Sequence, residues 1–371
     1  MTYSVYQHWD PLKVCVVGRS YPPEFYSWIT VPHVRNMFER MAIETEEDCQ
    51  KIIKKLESFG VTVLRPNLPR ATQSQGKFIA PPMTPRDHTV MVGSTFYHNF
   101  KDNFSTNYNQ IKDPSWPVCD SWQQFEQLPA WIVNECAEMH GFVSPGFEYQ
   151  DIFLHLQQQG NMIKQADHIS GAMLARLGKD LYLGTDRYDQ DPEVLKQFMD
   201  TEFPNTRNHV VNTGGHSDGT YCPVCPGLIL STQDVPTYAD TFPDWEVVYL
   251  PPSDLSAVKS FADLKEKNKG KWWIPGFEKD QEVIDVVETW LGHWTGFVEE
   301  TVFDVNMLIV DPKNVIVFNY NKQVFDALDR YGITAHVILF RHRYFWDGGI
   351  HCITSDLHRE GTMQNYFPER L

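Results

Sequence analysis

This chain lacks most of what would mark a membrane, secreted or nucleic-acid-binding protein. Its longest apolar runs, such as Met307-Leu308-Ile309-Val310, fall far short of the roughly 20 residues a membrane-spanning helix needs. Positive charge is scarce: 32 Lys and Arg stand against 48 Asp and Glu, a formal net charge of −16. With no long basic stripe either, a phosphate backbone is a poor partner, so neither nucleic acid nor membrane is expected. The charge chiefly serves solubility, and it also favours cationic substrates. The segment Met1-Thr2-Tyr3-Ser4 has no basic-then-apolar signal character. Seven cysteines form no regular framework, and an odd count fits reduced thiols. A cytoplasmic location is therefore expected. No Gly-x-Gly-x-x-Gly follows the first strand pattern and no P-loop occurs, which argues against the common nucleotide-binding folds. Proline-rich linkers and exact-period repeats are also missing, so residues 1–371 read as a single catalytic domain. Cys222-Pro223-Val224-Cys225 resembles half a zinc site or a redox pair, but no second pair at ligand spacing accompanies it.

What is present is a series of short β-rich runs bounded by Gly, Pro, Asn or Asp. They include Leu12 to Val17, Val61 to Leu64, Thr89 to Val92, Asp180 to Leu183, Leu228 to Leu230, Trp245 to Leu250, Val315 to Phe318 and Ala335 to Phe340. Helical periodicity lies between them. Thr45-Glu46-Glu47-Asp48 has the form of a capping box, with Cys49, Ile52, Ile53 and Leu56 spaced as one apolar face and Gly60 as a stop. Val283 to Leu291 and Val324 to Tyr331 read as further amphipathic helices. Alternation of this kind predicts an α/β architecture. The stretch from Arg70 to Pro82 is the best candidate for a flexible loop.

Two Gly-Gly turns carry the chemistry. One delivers Cys352 through Gly348-Gly349-Ile350-His351, and the other ends in His216-Ser217-Asp218. Glycines admit close backbone approach, and a cysteine with a sequence-distant histidine is the usual layout of thiol catalysis. Taken one at a time, these residues have plainer readings. A cysteine is commonly a core filler, Asp218 could serve an Asx-turn, and Arg86-Asp87 could be a loop ion pair. Their combination predicts a cysteine-dependent enzyme.

The sequence resembles the amidinotransferases related to glycine amidinotransferase, in the guanidino-modifying pentein superfamily. The resemblance covers nearly the whole chain. It runs through Trp9-Asp10-Pro11-Leu12, Val17-Gly18-Arg19, Gly60 to Pro66, Pro85-Arg86-Asp87 and Arg176-Leu177-Gly178-Lys179-Asp180. His216 to Thr220 with Pro226 to Ser231, and Gly348 to Asp356 with Arg359 and Gly361, complete it. It implies a five-bladed α/β-propeller of ββαβ-type modules around a central active site. It further implies Cys352 as nucleophile, His216 as acid and base, and Asp87 and Asp218 as carboxylates gripping a guanidinium, a chemistry that bidentate pairing supports. The expected partners are a small-molecule guanidino donor, such as arginine, and an amine acceptor, with a possible homodimer. No metal and no organic cofactor are expected, because a thiolate and an imidazole suffice. A guanidino hydrolase of the deiminase or dihydrolase type and a catalytically degenerate binding protein remain as alternatives.

The family pattern breaks in two places. Relatives carry an acid ahead of the Arg-x-Gly-Lys-Asp segment; here Ser170 stands at that substrate-binding position. Asp167 would lie on the opposite face of a strand, so support for the histidine is expected to be weaker. An arginine that meets a substrate carboxylate in relatives is replaced by Val235, and small hydroxyl residues before Asn306 by Glu299 and Glu300. These changes suggest a donor or acceptor without the carboxylate or with an extra amine, such as agmatine or a polyamine; a loop shift that places Glu299 and Glu300 in solvent is the alternative.

Overall fold

Five three-stranded sheets share one pattern: two antiparallel strands, a helical crossover and a third strand parallel to the second. The computed structural model describes residues 2–69, 73–74, 77–100, 104–140, 146–185, 191–233, 238–251, 272–295, 302–346 and 348–370. Four of the sheets are continuous in sequence. Their antiparallel pairs are Thr89–Val92 with Thr95–His98, Leu174–Leu177 with Asp180–Thr185, Tyr221–Cys225 with Leu228–Ser231, and Leu308–Asp311 with Asn314–Val317. Met162–Gln165, Arg207–Asn212, Glu246–Tyr249 and Thr334–Val337 add the parallel third strands. The fifth sheet joins the ends of the chain: Leu12–Val17 pairs antiparallel with Thr354–Arg359 and parallel with Thr62–Leu64. The fold is thus a five-bladed α/β-propeller whose ring is closed by strands from both ends of the chain.

Burial falls from the first strand of each blade to the last. Leu174–Leu177 and Tyr221–Cys225 are buried at every residue, whereas Met162–Gln165 and Thr334–Val337 have no buried residue. Strands flanked on both faces read as continuous apolar runs, and outer strands as polar alternations. The Cys222-Pro223-Val224-Cys225 segment lies in an inner strand, with both thiols free and buried. Burial pushes the Cys225 thiol up to about 11 and Cys222 further still. A bulge between Pro223 and Cys225 sets Cys222 opposite Leu230 and Cys225 opposite Leu228, and both thiols pack within one apolar core.

The longest helix, Pro32–Ser58, begins well upstream of the expected capping box. Proline at its first turn starts it, and its apolar face continues through Val34, Met37, Phe38 and Met41. Thr45 and Asp48 are therefore mid-helix, and both are buried for a tertiary purpose. Thr45 Oγ1 accepts the Trp346 indole N–H at 2.9 Å. Asp48 takes the Arg341 backbone N–H at 2.8 Å and its guanidinium at 2.9 Å. The stretch leading to Cys352 is thereby fastened to this helix. The other two expected helices are found as Gln281–Val286, which continues into a π-helical turn Val287–Leu291, and Lys322–Arg330. The expected flexible loop contains a short antiparallel pairing of Gln73–Ser74 with Lys77–Phe78. Phe78 is buried, and its carbonyl accepts the Trp294 indole N–H at 2.9 Å.

Candidate active site

Each blade offers the residues just ahead of its innermost strand to the same region. Asp87 precedes Thr89–Val92, Ser170 precedes Leu174–Leu177, Asp218 precedes Tyr221–Cys225, Asn306 precedes Leu308–Asp311, and Cys352 precedes Thr354–Arg359. Backbone links tie these turns together. Asp218 N–H donates to Ala172 O at 3.1 Å, Ala172 N–H to Arg86 O at 3.2 Å, and Arg86 N–H to Cys352 O at 3.2 Å.

Cys352 faces the inside of the site and is itself buried. Asn306 fixes it. The Asn306 Oδ1 atom accepts the N–H groups of His351 at 2.8 Å and Cys352 at 3.2 Å. Two backbone donors on the oxygen leave the amide nitrogen on the other side, and it donates to Cys352 Sγ at 3.0 Å. On its other flank Sγ lies 3.3 Å from Asp218 Oδ2. Both glycines of the preceding turn are needed sterically. A Cβ on Gly348, whose φ is +114°, would fall 2.5 Å from Cys352 Sγ, and one on Gly349 would fall 2.7 Å from Asn306 Oδ1.

Asp218 Oδ2 also takes the imidazole Nδ1–H of His351 at 2.8 Å. Burial works against the charge of Asp218, but the hydrogen bond from His351 and the field of His216 hold its carboxyl below the ordinary value. His351 is lowered to about 4, first by burial and then by the nearby Arg86 guanidinium. The ring is therefore a neutral donor at physiological pH. His216 Nδ1 lies 3.8 Å from Asp87 Oδ1, with the histidine side chain 49% exposed and the aspartate 14%.

Ser170 is buried in the turn that crosses between Arg86 and Asp218. Asp167 does not stand in for an acid there. It lies in an exposed turn beyond the strand Met162–Gln165, so strand alternation does not apply to it, and Gln165 Nε2 donates to it at 3.3 Å. Of the acids considered, Asp87 is the one that faces His216. Val235, Glu299 and Glu300 lie outside the described residues.

Arg86 and Asp87 do not pair with each other across a loop. Arg86 is buried, and its Nη1 meets Asp356 Oδ1 at 2.6 Å. Arg176 and Arg359 reach the same carboxylate at 2.9 and 2.6 Å. Arg86 Nε also donates to the carbonyls of His351 at 3.2 Å and Thr354 at 2.9 Å, so this buried cluster buttresses the cysteine turn. Asn306 and His351 escaped sequence reading as site residues. The signals available were the placement of Asn306 before an apolar run and of His351 beside the cysteine, and neither specifies a partner.

The buried imidazoles give the site an expected pH signature. Below about pH 6.5 an unfolded chain protonates its histidines, whereas native His351 resists until about 4. The unfolded state then binds more protons, so stability falls as pH drops through that window and is flat above it. His351 alone accounts for about 3 kcal/mol between those limits, and His8, buried beside Arg176, adds in the same direction. Urea unfolding at pH 7.5 and pH 4.5 checks this; equal unfolding free energies would contradict it.

No family model matches the chain. Among curated proteins it is 23% identical to inosamine-phosphate amidinotransferase 1 of Streptomyces glaucescens over 400 residues, covering 98% of both chains. It is 28% identical to mitochondrial glycine amidinotransferase of Gallus gallus over 422 residues, 98% of this chain and 84% of that protein. Two solved structures superpose with a TM-score of 0.61. They are SxtG, an amidinotransferase of the saxitoxin biosynthetic pathway of Microseira wollei, at 18% identity over 99% of this chain and 100% of that one, and StrB1, the inosamine-phosphate amidinotransferase of Streptomyces griseus, at 19% over 98% and 99%.

Proposed function

We propose that this chain is an amidinotransferase, as its similarity to curated amidinotransferases over 98% of its length supports, and that it moves an amidino group from a guanidino donor to an acceptor amine through Cys352. We assign residues 1–371 to one catalytic domain. One observation carries the reading: Cys352 Sγ lies 3.3 Å from the carboxylate of Asp218 and within 3.0 Å of the Asn306 amide. A planar cation held by that carboxylate has its central carbon beside the sulfur.

Asp87 and Asp218 grip the N–H edges of the donor guanidinium. With Asp218 so near, the resting sulfur is a thiol; the bound guanidinium favours its ionisation, its proton passes to His216, and the Asn306 amide donates to the sulfur. The thiolate bonds to the guanidinium carbon. The bond from that carbon to the departing amine breaks as His216 supplies the proton, leaving an amidino group on Sγ. An acceptor amine then gives a proton to His216 and attacks the same carbon, and the S–C bond breaks to restore the thiolate. His216 stands half exposed beside Asp87, which suits proton exchange with an incoming amine. Asp87 thus takes a second role, steadying the imidazolium where relatives use the acid replaced by Ser170.

Intact mass of the full chain after incubation with arginine or agmatine, without acceptor, tests the reading. A covalent amidino adduct is expected on the wild type, and it should discharge when an amine is added. Agmatine above arginine is the expected order from Val235, Glu299 and Glu300. Ammonia and a ureido product without any amine would replace transfer by hydrolysis. Thermal stabilisation by a guanidino compound with no turnover would indicate a binding protein.

A further inference from the structure

We propose that His351 is a positioning residue, whose neutral Nδ1–H holds the Asp218 carboxylate in register with both the thiol and the donor cation. The inference rests on the amidino-transfer reading and assigns a part of the same site that the thiol, His216 and the two aspartates leave undefined.

His351 is tied at three points. Its backbone N–H donates to Asn306 Oδ1 at 2.8 Å, its carbonyl accepts Arg86 Nε at 3.2 Å, and its ring meets Asp218 Oδ2 at 2.8 Å. The first two contacts fix the backbone that also carries Cys352, so the ring orients Asp218 relative to the nucleophile itself. A carboxylate is acceptor-only, which places the imidazole proton on Nδ1. Asp218 Oδ1 is enclosed and has no hydrogen-bond partner among the described residues. Oδ2 is thus the anchored oxygen, and the carboxylate retains acceptor capacity.

Neutrality matters as much as geometry. A cation at this place would pair with Asp218 and cancel the charge needed to attract a guanidinium. A neutral N–H fixes the rotamer and leaves the charge in place. Arg86, Asp218, Asp356 and His8 act on the ring or are acted on by it, and burial beside Arg86 keeps it uncharged. Simple space-filling does not account for a histidine here. The ring borders a cavity of about 30 Å³ shared with His8, Asp218, Tyr221 and Arg359, and an apolar side chain would fill such a position at lower desolvation cost.

The test compares His351→Leu with His351→Asn, whose amide N–H can reach the place of Nδ1–H. With leucine, KM for the guanidino donor should rise about 10- to 100-fold. The acid limb of kcat/KM should also move upward, because Asp218 loses a bond that favours its ionised form. Asparagine should restore both within a few-fold. Leucine with the wild-type KM and the wild-type acid limb would overturn the proposal. Should the leucine variant fail to fold, the ¹⁵N-imidazole spectrum of the wild type decides. The neutral Nδ1–H tautomer between pH 5.5 and 8 is expected, and an Nε2–H tautomer or an imidazolium would overturn it. If the wild type consumes no guanidino donor, the transfer reading falls separately, and the tautomer still tests the contact to Asp218.

Discussion

Replacing Cys352 by alanine is expected to abolish both the covalent adduct and turnover, with kcat reduced by at least about 10⁴-fold. A guanidinium is resonance-stabilised and always charged, and so a poor electrophile; direct attack by an amine has no equivalent of the soft sulfur nucleophile. The remaining groups, Asp87, Asp218 and His216, should still bind and orient the donor. Donor affinity measured by calorimetry should therefore change far less than kcat. The alanine variant should also fold, since it deletes one buried sulfur whose hydrogen bonds run to Asn306 and Asp218. Residual turnover above about a hundredth of the wild type would remove Cys352 from the mechanism. A variant with lost binding but an intact rate at saturation would recast the cysteine as a substrate contact.

The largest stability effect is expected at Asp356, far from any surface. Its carboxylate is held well below the ordinary range, against burial, by Arg176, Arg86 and Arg359. Conversion of Asp356 to asparagine removes the one negative charge these three buried guanidinia share. Breaking a buried ion cluster from one side costs about 3–5 kcal/mol, because the partners are left buried and uncompensated. Against a total stability of about 5–15 kcal/mol, that should give a largely insoluble chain or a much lower urea midpoint. Arg86 also supports the carbonyls of His351 and Thr354, so any folded fraction should lose activity out of proportion to its amount. A wild-type midpoint for the asparagine variant would mean that the arginines find other acceptors.

Much of the fold was legible because strands in this architecture are flanked by apolar layers. Leu12–Val17 and Thr89–Val92 match their expected bounds, and Leu228–Ser231 extends its run by one residue. Two of the strands absent from the expected runs carry polar residues for tertiary partners. Leu174–Leu177 includes Arg176, and Thr354–Arg359 includes Asp356 and Arg359, which local patterning reads as loop or surface. Thr45 to Asp48 misled for a related reason. Polar residues that look like a helix start were buried mid-helix to fasten Trp346 and Arg341. The fivefold repeat left no exact period, since each blade repeats a pattern of hydrogen bonding and burial with different residues and loop lengths.

The sequence by itself determined the chemical inventory: a thiol in a glycine turn, a histidine two residues before an aspartate, and an Arg-Asp step ahead of a strand. Those choices are local, because they depend on backbone freedom at Gly348 and Gly349 and on residue type. The tertiary structure alone decided who partners whom. Asp87 meets His216 across 129 positions of chain, His351 meets Asp218, Asn306 clasps the cysteine turn, and three arginines converge on Asp356. Hydrogen bonds and ion pairs of this kind act over a few ångströms, and chain distance says nothing about which polar groups the closing of the ring will bring within that range.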